Sequence, residues 1–301
     1  MMLKIAWSPI YNHALPERHR FPMIKYDLLP EQLIYEGTIS QANLFTPSRL
    51  SESIILDTHC PIYWDKLKGL KLDRKEERRT GFPLSKALVE REIVIMDGTL
   101  KAALFALEYG CAFNIAGGTH HAFTNRGEGF CLLNDIAIAA NYLLNNDLAS
   151  QILVVDLDVH QGNGTAQIFA NEKRVFTFSM HGAKNYPMHK EKSDLDIGLP
   201  DETGDNLYIN KLQNALPKLI DDLEPDIVFY QCGVDVLASD KLGRLSLSLE
   251  GCKARDKFVL NICKNNGIPL IGSMGGGYSE RITDIIEAHA NTYRLAMDIF
   301  F

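Results

Sequence analysis

Short apolar runs alternate with longer amphipathic stretches along the whole chain. Runs at 3–7 (LKIAW), 53–57 (SIILD), 111–116 (CAFNIA), 151–158 (QILVVDLD), 174–180 (RVFTFSM), 226–232 (DIVFYQC) and 268–274 (IPLIGSM) predict strands. Their apolar residues are consecutive rather than alternate, so both faces are expected to be buried. Helical spacing predicts helices over 85–109, 133–146, 206–223, 248–266 and 280–299; in the fourth, Cys252, Phe258, Val259 and Ile262 fall near one face. The strands are too far apart in sequence for hairpins. This alternation implies an α/β fold, a parallel sheet covered by helices on both sides, as one domain over 1–301. Segment 65–84, DKLKGLKLDRKEERRTGFPL, is the most charged and reads as a solvated helix end plus loop.

One run breaks its own pattern. In ILVVDLDVHQGNG (152–164), Asp156, Asp158 and His160 follow four apolar residues at a spacing of two, which on a strand sets all three on one face. Parallel sheets bind ligands beyond the carboxyl ends of their strands. Four predicted strands run there into polar residues: GGTHHAF, DVHQGNG, GVD and GGGY. Any one of these residues taken alone is better explained as a cap, a core histidine or a packing tyrosine. Four strand ends together point to a site.

Asp158, His160 and Asp235 form the best metal-ligand set, because two carboxylates and one imidazole suit a borderline divalent cation, zinc first, with positions left open. Asp156 lies deeper, where an unpaired carboxylate is costly, so it is expected to steady a histidine. His120 and His121 are candidates for proton transfer, and Tyr278 for donating a hydrogen bond to an oxyanion. The glycine run before Tyr278 matches neither GxGxxG nor GK[ST], which argues against a nucleotide phosphate loop.

Composition narrows the partners. A net charge of −7 without a long basic run argues against nucleic acid. No run of about 18 uncharged apolar residues predicts a membrane helix, and the polar opening does not resemble a secretory signal. Six cysteines without a CxxC read as reduced core thiols, so a cytoplasmic location is expected.

Taken in order, GGTHHA, GFCLLND, VVDLDVHQGNG, QCGVD and GGGY resemble the zinc-dependent histone deacetylase family, over most of the chain from YNHALPERHRFP onward. The DVHQGNG variant, the HRFPMIKY opening and the compact length are most similar to bacterial and class IV members. The resemblance implies a single-domain, three-layer arginase/deacetylase-like fold. It also implies hydrolysis of an acyl-lysine amide in a protein or peptide, with one Zn2+, or Fe2+, at Asp158, His160 and Asp235. By the same resemblance His121 is the general base, His120 its companion oriented by Asp156, and Tyr278 the residue that polarises the acyl carbonyl. Phe130 and Tyr186 become the tunnel walls, with Gly129, Gly276 and Leu242 as further substrate contacts and Arg20 near the inner pocket. Structural K+ is implied at Asp156, Asp158, His160, Ser179 and Met180, and again near Phe169, Glu172 and Val175.

Asn163 stands where some branches carry aspartate; it can still accept the imidazole N–H of His121, but raises the histidine pKa less. Three other readings remain open. The first is a small-molecule amidohydrolase of the same fold acting on acetylated polyamines, and the second a non-catalytic acyl-lysine binding module. The third is a two-manganese arginase-type enzyme, for which Gln161, Gly162 and Asn163 leave a second metal without ligands.

Overall fold

The computed structural model describes residues 2–301. Eight strands run β1 (Lys4–Ala6), β2 (Leu44–Phe45), β3 (Cys111–Asn114), β4 (Ile152–Asp156), β5 (Val175–Gly182), β6 (Leu195–Leu199), β7 (Ile227–Gln231) and β8 (Leu270–Ser273). They form one sheet in the order β2-β1-β3-β8-β7-β4-β5-β6, and every pair is parallel. β3, β4, β7 and β8 are buried at every position, as strands covered on both faces must be.

Ten helices connect and flank the sheet: α1 (Lys25–Tyr35), α2 (Glu52–Leu56), α3 (Pro61–Lys68), α4 (Arg74–Thr80), α5 (Lys86–Tyr109), α6 (Asp135–Asn145), α7 (Asn163–Phe169), α8 (Asp205–Leu223), α9 (Leu249–Asn265) and α10 (Ile282–Phe300). One row packs as α1, α10, α9 and α8; the other is built on α5 with α6 and α7. The chain is therefore a single-domain three-layer α/β protein.

Local chemistry sets the helix ends. Ser85 caps α5 through Leu88 N, and Gly110 closes it in a left-handed conformation at φ 89°. In α9, Cys252 and Val259 are buried and Phe258 and Ile262 half-buried, alongside a fully buried Arg255–Asp256 ion pair. All six cysteines are free, and five are buried.

Two expectations need correction. Residues 53–57 are not a strand but the body and C-cap of α2, in which only Ile55 is buried. The apolar run is three residues long, and the sheet edge beside β1 is taken by β2 instead. Segment 65–84 carries more order than a helix end and a loop, because it includes α4, capped at Asp73.

Candidate active site

β3, β8, β7 and β4 are neighbours at the centre of the sheet, so the four loops at their carboxyl ends meet. Asp156 is the last residue of β4. Asp158 and His160 do not continue its strand face, as the spacing had suggested, because the chain leaves the sheet in bends. Two Asx turns place them: Asp158 N donates to Asp156 Oδ1 at 3.2 Å, and His160 N to Asp158 Oδ1 at 3.0 Å.

Asp158, His160 and Asp235 are buried, with ligand atoms all within 4.8 Å of one another. His160 Nδ1 lies 3.1 Å from Asp158 Oδ1 and 3.1 Å from Asp235 Oδ2. The remaining carboxylate oxygens are occupied, Asp158 Oδ2 by Gly276 N at 2.9 Å and Asp235 Oδ1 by Val159 N at 2.9 Å. Asp158 Oδ1 (which also accepts the His160 backbone N–H), Asp235 Oδ2 and His160 Nδ1 are thus grouped together. Burial and the charge of Asp158 push Asp235 up to about 7. His160 is raised to about 10, the two carboxylates outweighing its burial. Two carboxylates crowded out of water around one imidazole are what a divalent cation would relieve, so the donors fit a metal ion. Side chains are barred nearby, since a Cβ at Gly276 would overlap the Asp235 carboxylate, and one at Gly233 that of Asp158.

The two histidines sit in opposite electrostatic states with ring centroids 4.2 Å apart. His120 Nδ1 meets Asp156 Oδ2 at 2.7 Å. Burial pulls His120 down, but Asp156 and Asp158 outweigh it and raise it to about 9. His121 Nδ1 meets Asn163 Oδ1 at 2.6 Å. Burial and the neighbouring His120 and His160 hold His121 well below the usual histidine range. A charged and a neutral imidazole side by side form an acid–base pair set by environment.

Tyr278 is half-buried, and its backbone N is anchored to Asp240 Oδ2 at 2.6 Å. Burial, with the Asp235 and Asp158 carboxylates nearby, raises its hydroxyl well above the usual tyrosine value, so it keeps a proton to donate. His121, Gly129, Phe130, His160 and Tyr278 border two connected spaces, an outer mouth of about 280 Å³ and an inner pocket of about 30 Å³. Phe130, Tyr186 and Leu242 line the mouth, while Gly276 lines the inner pocket. Phe130 is left-handed at φ 67°, held by its N–H on Thr80 O at 2.7 Å.

Residues 19–293 match the model of the histone deacetylase domain. The chain belongs to the histone deacetylase family. It is 41% identical over 300 residues to an uncharacterized protein of Picosynechococcus sp., covering 100% of both chains. To histone deacetylase 2 of Arabidopsis thaliana it is 29% identical over 296 residues, covering 94% of this chain and 76% of the relative. Its fold is similar to that of a histone deacetylase homolog solved in complex with SAHA, with a TM-score of 0.86 at 22% identity, covering 99% of this chain and 84% of the other. Membership makes it a deacetylase-type hydrolase, and no helix among the described residues is long and apolar enough to cross a membrane.

Within this histone deacetylase domain several placements differ from expectation. Arg20 is exposed at the outer mouth rather than near the inner pocket, because its segment turns outward at His19, which bonds Gly81 O. Among the described residues the cation lining the inner pocket is Arg91, and Lys25 lies behind it against Gly275 and Tyr278. Arg91 is committed to Tyr11 O and Glu92. Lys25 is fully buried, donates to Gly275 O at 3.0 Å, and lies 5.5 Å from the Tyr278 ring centroid. Burial lowers it to about 8.

Glu128 was not singled out from the sequence either. The only signal was an acid between two glycines in GEGFC, which reads as a solvated turn. Its Oε1 accepts from Asn163 Nδ2 and the Tyr186 hydroxyl. Of the residues named for potassium, Asp156 and Ser179 are direct partners across β4 and β5, with Met180 beside them. Phe169, Glu172 and Val175 close successive turns, Glu172 N on Phe169 O and Val175 N on Glu172 O.

Proposed function

We propose that this chain hydrolyses the side-chain amide of an acylated lysine in a protein or peptide, with zinc as its metal. The observation that carries the reading is a shared floor: Asp158, His160, His121 and Tyr278 all border one narrow pocket behind an aromatic mouth. Bound by Asp158, His160 and Asp235, zinc would polarise the acyl carbonyl and acidify a water, and iron(II) would suit the same donors.

The chain's own residues supply the rest. The lysine stem fits between Phe130 and Tyr186, with Gly129 beside it and Leu242 at the rim. His121, neutral and held at Nδ1 by Asn163, takes a proton from water through Nε2. Tyr278 donates its O–H to the acyl oxygen as negative charge develops there. His120, kept charged by Asp156, holds a proton beside His121. A protonated imidazole then gives one proton to the departing lysine amine, leaving a free carboxylate. Potassium at the two backbone-rich sets around Asp156 and Glu172 belongs to the same reading, with a structural role.

The inner pocket holds about 30 Å³. That is room for one or two water-sized groups, which favours acetyl over a long acyl chain. The test is a panel of lysine peptides carrying acetyl through long fatty-acyl groups, run beside acetylputrescine, with metal content measured on the same sample. Turnover of acetyl-lysine with one zinc per chain is expected. A higher kcat/KM for acetylputrescine would replace the peptide reading with the polyamine one. Two metals per chain would revive arginase-type chemistry.

A further inference from the structure

Glu128 takes no part in the chemistry above, yet its buried carboxylate ties together two groups that do. Oε1 accepts from Asn163 Nδ2 at 2.8 Å and from the Tyr186 hydroxyl at 2.7 Å, while Oε2 pairs with Arg126 Nε at 3.2 Å. Asn163 Oδ1 in turn lies 2.6 Å from His121 Nδ1. An amide has two ends. It can offer His121 an acceptor oxygen or a donor NH2, and the two choices fix opposite imidazole tautomers. A carboxylate has no proton to give, so Glu128 can bind only the NH2 end. Oδ1 is then left for His121, which must carry its proton on Nδ1 and keep Nε2 as a free lone pair. An aspartate at 163 would need no such help, because both its oxygens accept.

We propose that Glu128 is a positioning residue that sets the tautomer of His121 by fixing the amide of Asn163. The proposal rests on the reading of His121 as the base. In the full-length zinc-loaded protein, Glu128→Leu is expected to lower kcat about 10- to 100-fold. Glu128→Gln, whose carbonyl can accept from both Asn163 and Tyr186, should stay within about threefold of wild type. Asn163→Asp alone sets two carboxylates against each other and is expected to be slow.

The double variant Glu128→Leu/Asn163→Asp should regain about tenfold over Glu128→Leu. A packing role gives no such sign reversal, since Tyr186 stays without its partner in both. Failure of the double variant to recover would overturn the proposal. Long-range 15N NMR of the histidine rings reads the tautomer without any turnover: Nδ1–H in wild type, shifted toward Nε2–H in Glu128→Leu. An unchanged tautomer also overturns it. If wild type turns over no acyl-lysine, the function reading falls and the NMR result still decides the role of Glu128.

A separate observation concerns the mouth. Arg20, Arg78 and Arg79 all line it and are exposed. Among the described residues none of the three makes an ion pair, a state shared only with the exposed Arg18 and Arg74 of the same two segments, whereas Arg49, Arg174, Arg244, Arg281 and Arg294 elsewhere are all paired. Among the described residues no carboxylate lines the mouth; Glu128 behind Tyr186 is paired with Arg126, and Asp240 is occupied by the N–H groups of Tyr278, Leu242 and Gly243. Both arginine-bearing segments are bolted to the tunnel wall, Arg79 O and Thr80 O to Gly129 N and Phe130 N, and His19 to Gly81 O at 2.8 Å. A helix-end dipole would favour Arg78 and Arg79 at the last turn of α4, but Arg20 comes from another segment.

This cationic rim stands on a chain of net charge −7. The acyl group lies deeper, past Phe130, so the rim meets the residues that flank the lysine. We infer that the mouth selects acyl-lysines flanked by aspartate or glutamate, an inference that also rests on the proposed function. Acetyl-lysine peptides with Asp, Ala or Lys flanks should differ by about tenfold in kcat/KM from acidic to basic, mainly through KM. The ratio should collapse toward one in 0.5 M salt, on the order of a 4 Å Debye length, and in the triple variant Arg20→Gln/Arg78→Gln/Arg79→Gln.

Equal rates for all flanks in wild type overturn the inference and leave the deacetylase reading standing. If no acyl-lysine is hydrolysed, that reading falls, and fluorescence anisotropy of the same labelled peptides decides the rim's preference. Tighter binding of a single-stranded oligonucleotide than of the Asp-flanked peptide would overturn it in favour of nucleic acid.

Discussion

The roles proposed for Tyr278 and for Asp158, His160 and Asp235 each rest on single atoms, and single substitutions separate them. Tyr278→Phe deletes the proton that burial and the nearby carboxylates keep on the phenol. The expected loss in kcat is about 100- to 1,000-fold with metal content unchanged. A rate within about twofold of wild type would remove Tyr278 from the oxyanion role. Asp235→Asn leaves the Val159 N–H bond possible but removes one anionic donor, and metal affinity in a chelator competition should fall at least about tenfold. The gathering of these side chains was legible in sequence, because DxDxH, HH and GGGY are polar residues at the ends of strands that prove to be neighbours. Glu128, Asp240 and Lys25 were not. Their partners lie 35, 38 and 250 residues away, and an isolated Glu, Asp or Lys in a loop or on a helix reads as solvated surface until the fold brings the partner.

Among the elements, the central strands were legible because burial on both faces leaves a continuous apolar run. β6 was missed because it is an edge strand with alternating exposure, and β2 because two residues carry no period. α4 did have a signal: Asp73 and Glu76 form a capping box at its start. α1 and α10 offer a test of how elements are fastened together. Glu36, at the end of α1, accepts from Arg294 of α10 at 2.8 and 2.6 Å through two oxygens. The Arg294 guanidinium lowers Glu36 to about 2. A carboxylate depressed in the folded state stabilises fully above its unfolded value of about 4.3, and that contribution is lost as pH falls toward the folded value. Because both groups remain partly wet, Glu36→Gln should cost about 1–2 kcal/mol at pH 7 in denaturant unfolding. The gap from wild type should close between about pH 4.3 and pH 2. A gap that persists at the lowest pH would mean that packing, not charge, links the two helices.

At the scale of the whole molecule, the metal donors join two parts of the sheet that sequence keeps far apart, the loop after β4 and the loop after β7. A chelator should therefore lower the Tm, and zinc at about 100 times its Kd should restore about 2.7 kcal/mol. A Tm indifferent to both would show that the donors are held by the fold alone. The strand order also bears on how the protein is made. β1, β2 and β3 form one half of the sheet, and β4 to β7 the other. β8 is the last strand translated, yet it stands between β3 and β7. Until it emerges, the nascent chain is two half-sheets with facing strand edges unpaired, a shape open to wrong pairing. Tyr278 and the Gly275 carbonyl that holds Lys25 arrive with that strand. The ribosome thus delivers the keystone of the sheet and the tyrosine proposed as oxyanion donor in the same few residues, so the proposed site is complete only once the sheet can close.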